Sequence, residues 1–217
     1  LVQGLNVLND YFNIVQVRIA LLALYDLKKR KIIDHRILKE TIIFLEGFHF
    51  AYNAIMSNRS NRFETIYSKF SIAVRKCNSK SMAKVVIKQK LIDPLRAMFP
   101  NFEEFSRRFI QLTYSKKGSP SNVKVKYILY KLNCYYAERE LFADDGSVEH
   151  ILPESDQLTH NIGNLILLEG LLNVEADQKG FHEKTTIYSK SQYPWIANFI
   201  NQHERWTKSM INERALR

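Results

Sequence analysis

Along most of this chain apolar residues recur at helical spacing, and in one short window they do not. Val148 to Leu152 is apolar at alternate positions, β-branched at Val148 and Ile151, and stopped by Pro153. Asn164 to Leu168 is a second short apolar run, entered through Gly163. Gly170 to Ala176 then reads as a helix of about two turns. A strand, a connection, a second strand and a short helix must therefore be seated in an otherwise helical chain.

The helical pattern begins with Ile14, Val15, Val17, Ile19, Leu21 and Leu22, dense enough for a buried helix with a basic end at Lys28-Lys29-Arg30-Lys31. Leu38, Ile42, Ile43, Leu45 and Phe48 form the stripe of the next helix, which Asp34 is placed to cap. Phe48, Phe50 and Tyr52 read as core aromatics. Residues 59–90 read as one or two helices, with Phe63, Ile66, Tyr67, Phe70 and Ile72 inward and the cations on the other face. Asp93-Pro94 starts another helix, which Pro100 ends or breaks, and Phe102, Phe105, Phe109 and Leu112 recur at helical spacing. Ser115 to Asn122, with Gly118 and Pro120, is the clearest loop. Val123 to Tyr136 and the stretch from Trp195 to Leu216 are helical, with both tryptophans in the core. The expected fold is mostly α: a helical domain over 1–140 with a basic face, then a smaller unit over 141–217 holding the small ββα insert and C-terminal helices.

Charge is unevenly distributed in a chain of net +10. From Arg59 to Lys90 nine basic residues face one acid, Glu64. Of these, Arg59, Arg62, Arg75, Lys76, Lys80 and Lys84, together with Lys116 and Lys117 of a second basic run, are the candidate phosphate contacts. From Glu138 to Asp156 the sign reverses, with seven acids against Arg139 alone. A basic body around a local acidic site suits a protein that holds DNA phosphates and attracts a cation. A solvated helix face is the competing account of either basic run.

Several classes are excluded or disfavoured. Cys77 and Cys134 are distant and show no ligand spacing, so neither a disulfide framework nor a Cys-x-x-Cys structural zinc is expected. They fit a reducing cytoplasm. The longest apolar run, Ile19 to Tyr25, is too short for a membrane span. There is no Gly-x-x-x-x-Gly-Lys phosphate loop, so nucleotide hydrolysis would belong elsewhere.

The window around His150 resembles a known family. Glu149-His150-Ile151-x-Pro153, then Ile162-Gly163-Asn164-Leu165-x-Leu167-Leu168, then Leu172-Asn173, then Phe181-x-x-Lys184, is similar to the C-terminal HNH-type nuclease domain of modification-dependent restriction enzymes of the GmrSD kind. The close resemblance covers about residues 141–217, with Tyr127-Ile128-Leu129 a looser landmark upstream. It implies a ββα-metal (His-Me finger) unit in which His150 is the general base and Glu149 and Asn173 hold a divalent ion, Mg²⁺ first and Mn²⁺ as the alternative. Asn164 would hold backbone between the strands, and Lys184 would contact a phosphate oxygen. Gln178 stands where the family has a further Asn, which leaves its role open.

The resemblance further implies a DNA endonuclease, nicking or cutting both strands, in restriction or anti-phage defence against phage or modified DNA. The chain does not begin with Met, and a longer protein with an N-terminal nucleotide-hydrolysing sensor domain is the expected context. A homodimer is one route to a double-strand cut. Two other readings stay open: a catalytically inactive nucleic-acid-binding module of the same fold, and a helical protein-interaction domain. His160 reads as a loop residue or one that supports the site from behind, His182 as a solvated or phosphate-contacting surface residue, and the pair Glu149/Glu154, split by Pro153, is not expected to act together.

Overall fold

The computed structural model describes residues 7–8, 12–59, 62–138 and 146–216, in two compact units, Leu1–Phe105 and Ser106–Arg217. The first unit is helical throughout its described residues. Helices α1 (Val17–Lys29), α2 (His35–His49), α3 (Phe63–Arg75), α4 (Lys80–Ile87) and α5 (Asp93–Arg96) share one core. α1 buries Val17, Ala20, Leu21, Leu24 and Leu27. Val15 and Leu22, expected inside, are 52% and 71% exposed, because one helical face cannot take every apolar residue of so dense a run. Asp34 caps α2 as its position suggests, accepting from the Ile37 N–H at 2.9 Å. Arg30 donates to the Val74 and Cys77 carbonyls at 2.9 and 2.8 Å, which satisfies carbonyls left open at the end of α3. Between α4 and α5 the helix widens into a π turn, Lys88–Ile92, just before Pro94. The proline ring disfavours regular α geometry in the preceding turn. So Pro94 sits within a run that began at Lys80, not at a fresh helix start.

α6 (Phe102–Phe109) runs across the division into the second unit, which holds α7 (Asn122–Ala137) and the hairpin β1 (Gly146–His150) and β2 (Leu165–Glu169). α8 (Gly170–Ala176), α9 (Phe181–Tyr188), α10 (Pro194–Gln202) and α11 (Lys208–Leu216) follow. The strands are antiparallel, with Val148 opposite Leu167, Glu149 opposite Ile166 and His150 opposite Leu165. Both α7 and α8 pack on the hairpin. The expected boundary at 140 falls among residues 139–145, outside the described residues, as do Glu140, Asp144 and Asp145 of the acidic run. The compact units divide earlier, because α7 packs on the strands.

β1 ends at His150, short of the expected Leu152, because Asn164 takes over the backbone beyond it. Its side-chain oxygen accepts from the Leu152 N–H at 2.9 Å, and its amide donates to the Leu152 and Thr159 carbonyls, each at 2.8 Å. Gly163 is required by close approach: a Cβ there would lie 2.0 Å from the Ile211 carbonyl oxygen of α11. From α11, Arg214 donates to the Gly163 and Leu165 carbonyls at 2.7 and 3.0 Å, and Trp206, just before it, donates to Asn164 at 3.1 Å. The C-terminal helix therefore clamps the turn that enters β2.

Candidate active site

Alternation along a strand sends neighbouring side chains to opposite faces. Glu149 and His150 are neighbours, and β1 does not bend between them. The register puts Ser147 and Glu149 with Ile166 and Leu168 on one face, and Val148 and His150 with Leu165 and Leu167 on the other.

On the first face α8 and α9 supply polar partners. The Lys184 ammonium, 0% exposed, donates to Glu149 Oε1 and to the His150 carbonyl, both at 2.6 Å. The Tyr188 hydroxyl donates to the same Glu149 oxygen at 3.0 Å. Burial pushes the Glu149 carboxyl up and the Lys184 ammonium down, and each is opposed by the charge of the other. Asn173 donates to Ser147 Oγ at 2.7 Å and to the Val148 carbonyl at 3.0 Å, which ties α8 to β1. Lys184, expected at a phosphate, is corrected by its burial: an ammonium enclosed by Glu149 and backbone cannot reach solvent-borne DNA. The two expected ligands, Glu149 and Asn173, share this face; Glu149 accepts through Oε1, and Asn173 donates through its amide nitrogen.

On the second face His150, 3% exposed, directs Nε2 at the Tyr114 carbonyl, 3.2 Å away, and at Glu154 Oε1, 3.3 Å away. His160 Nδ1 stands 3.2 Å from the same carbonyl and 3.7 Å from the same carboxylate oxygen. The chain around them is tightly bonded. Tyr114 N donates to the His160 carbonyl and Ile162 N to the Leu112 carbonyl, each at 2.8 Å, and Thr113 bridges Asn161. The Lys116 N–H donates to Glu154 Oε1 at 3.2 Å. Burial pulls the His150 imidazole below its ordinary value; the Tyr114 carbonyl and Glu154 oppose this, and His160 and Lys116 add to it.

The sequence reading singled out His150 and set His160 in the loop or behind the site, but it did not bring Glu154 or the Tyr114 carbonyl to His150. Spacing alone was no guide, since a loop folds back across Pro153 to bring them in. Asn164 holds the backbone that makes this return. Gln178 and His182 are exposed, on the turn after α8 and on α9. Lys116 and Lys117 are exposed close in the chain to Tyr114. Arg59, Arg62, Arg75, Lys76, Lys80 and Lys84 are exposed on the first unit, where Lys80 pairs with Asp34 at 2.6 Å. Among the described residues no helix is long and apolar enough to cross a membrane.

Residues 99–216, more than half of the chain, match the family of GmrSD restriction endonucleases, C-terminal domain. The match begins close to the start of the second compact unit and includes every residue around His150 described above. No curated protein matches the chain.

Proposed function

Because the chain belongs to the family of GmrSD restriction endonuclease C-terminal domains, we propose that its second unit is a His-Me finger endonuclease that hydrolyses DNA phosphodiesters from a centre at His150. The observation that carries this reading is the setting of the imidazole. Its Nε2 faces a carbonyl and a carboxylate, both acceptors, so with Glu154 ionised Nε2 holds the proton and Nδ1 keeps the lone pair. Burial keeps the ring neutral near pH 7. A neutral imidazole of fixed orientation is suited to taking a proton from an attacking water. The Tyr114 carbonyl and Glu154 then stabilise the imidazolium that forms, as an orienting acid does in a catalytic triad.

Lys116, whose N–H donates to Glu154, and Lys117 are the exposed cations that would meet the scissile phosphate, and the exposed cations of the first unit contact duplex backbone elsewhere. In this reading the enzyme acts in a bacterial cytoplasm, in restriction or anti-phage defence. A divalent ion would supply charge stabilisation at the phosphate and leaving oxygen. At Glu149 and Asn173 it would have to be held by the oxygens outside the hydrogen bonds, Glu149 Oε2 and Asn173 Oδ1, with Lys184 already compensating the carboxylate.

That same engagement of Glu149 favours a second reading, a DNA-binding module that keeps the fold without cutting. Plasmid nicking with and without Mg²⁺ or Mn²⁺, on wild type and His150→Ala, separates the two. Nicking that needs both His150 and a divalent ion is the expected result. Binding with no nicking by the wild-type chain would leave the second reading standing.

A further inference from the structure

We propose that the Tyr114 carbonyl, His150, Glu154 and His160 form a four-donor site for a divalent cation of the zinc class, and that filling it takes His150 out of action as a base. The first half stands on geometry alone; the second rests on the nuclease reading above.

Zinc binds imidazole nitrogen and carboxylate oxygen at ~2.0–2.1 Å, so the donors of a tetrahedral site stand about 3.3–3.4 Å apart. Four of the six edges of such a tetrahedron are present: 3.2 and 3.3 Å from His150 Nε2, and 3.2 and 3.7 Å from His160 Nδ1, to the Tyr114 carbonyl and Glu154 Oε1 respectively. The two ring nitrogens and the carboxylate oxygen all lie within 4.8 Å of one another. Two imidazoles with one carboxylate suit zinc, whereas Mg²⁺ prefers an all-oxygen shell. The donors are held before any ion arrives, through the Thr113–Asn161 bridge and the Lys116 N–H on Glu154. An entry path exists, since the Glu154 and His160 side chains are 23% and 28% exposed.

Two N–H groups facing two acceptors would hold the same geometry without metal. The exchange between the two states is simple. Each ring moves its proton to its other nitrogen, and one dication replaces two N–H donors. For His150 that transfer puts the proton on Nδ1, the nitrogen that would otherwise act on water. With the carbonyl as fourth donor the shell is closed and leaves no position for a reactive water, unlike the open sites of zinc hydrolases.

The test uses Co²⁺ as a visible stand-in for zinc on the full chain. One equivalent should give the intense d–d absorption of tetrahedral Co²⁺, displaced by Zn²⁺. His160→Ala and Glu154→Gln should each lose it with circular dichroism unchanged, and His182→Ala, outside the cluster, should keep it. Absence of tetrahedral bands, or bands that persist in both cluster variants, overturns the site and leaves the hydrogen-bonded arrangement. In the nicking assay with Mg²⁺, one equivalent of zinc should suppress wild-type cleavage, and His160→Ala should raise the zinc needed by about 100-fold. Tight binding without suppression overturns the second half. A wild type that never nicks removes the nuclease reading and that half with it, while the cobalt result still decides the first.

Discussion

The two faces of the β1–β2 hairpin receive adjacent residues and treat them in opposite ways. Glu149 enters a closed polar cluster in which Lys184, Tyr188 and backbone satisfy one another. His150 enters a pocket whose other members, Glu154 and His160, keep a quarter of their surface in solvent. A buried ion pair costs desolvation that its own attraction only roughly offsets, so its value lies in not being broken. A cluster whose Glu154 and His160 side chains reach solvent can exchange protons or ligands. On the proposed reading stability belongs to one face and chemistry to the other, although both residues come from the same short motif.

The largest effect that could break this division is on the rate. His150→Ala should lower cleavage by ~10²–10⁴-fold, the usual range for a lost general base, while costing less unfolding free energy than any cut into the opposite face. Equal loss of activity and helical circular dichroism would make His150 a structural residue and erase the contrast. Next is the ion pair. Lys184→Met should destabilise by about 3–5 kcal/mol in denaturant titrations, because it strands a buried carboxylate. Adding Glu149→Gln should recover most of that loss, and the double variant should still cleave. A double variant that folds but is inert would move Glu149 to the chemistry and restore it as a metal ligand.

Asn173→Ala should cost about 1–3 kcal/mol, since it leaves buried groups on β1 without their donor. The divalent concentration for half-maximal cleavage should not change; a marked rise would show that Asn173 ligates the ion after all. The smallest effect is on pH. The imidazole of His150 is held below its ordinary 6.5, so it is neutral above that value in the folded protein and takes up a proton only below it. Cleavage should therefore be level down to about pH 6.5 and fall as pH drops further. An acid limb already evident above pH 7 would mean that Glu154 dominates over burial.

Much of this molecule was legible in its residues. Apolar spacing located most of the helices, though not α9, because a helix can bury only one stripe and the stripe repeats every three to four residues. Asp34 announced its cap, the Gly170–Ala176 helix lies where its pattern put it, and Gly163 marked a turn where a Cβ would meet α11. Local rules reach that far because they act over one or two turns of chain. They could not show that Lys184 is swallowed by Glu149, since an ammonium 35 residues away joins a carboxylate only once α9 has packed on the hairpin. Nor could they gather Tyr114, Glu154 and His160 around His150, because a bridge at Thr113 and a loop pinned by Asn164 bring those atoms together. Sequence determined which residues can do chemistry. Packing decided which of them meet solvent and which meet each other, because burial and partner choice depend on neighbours that are distant in the chain.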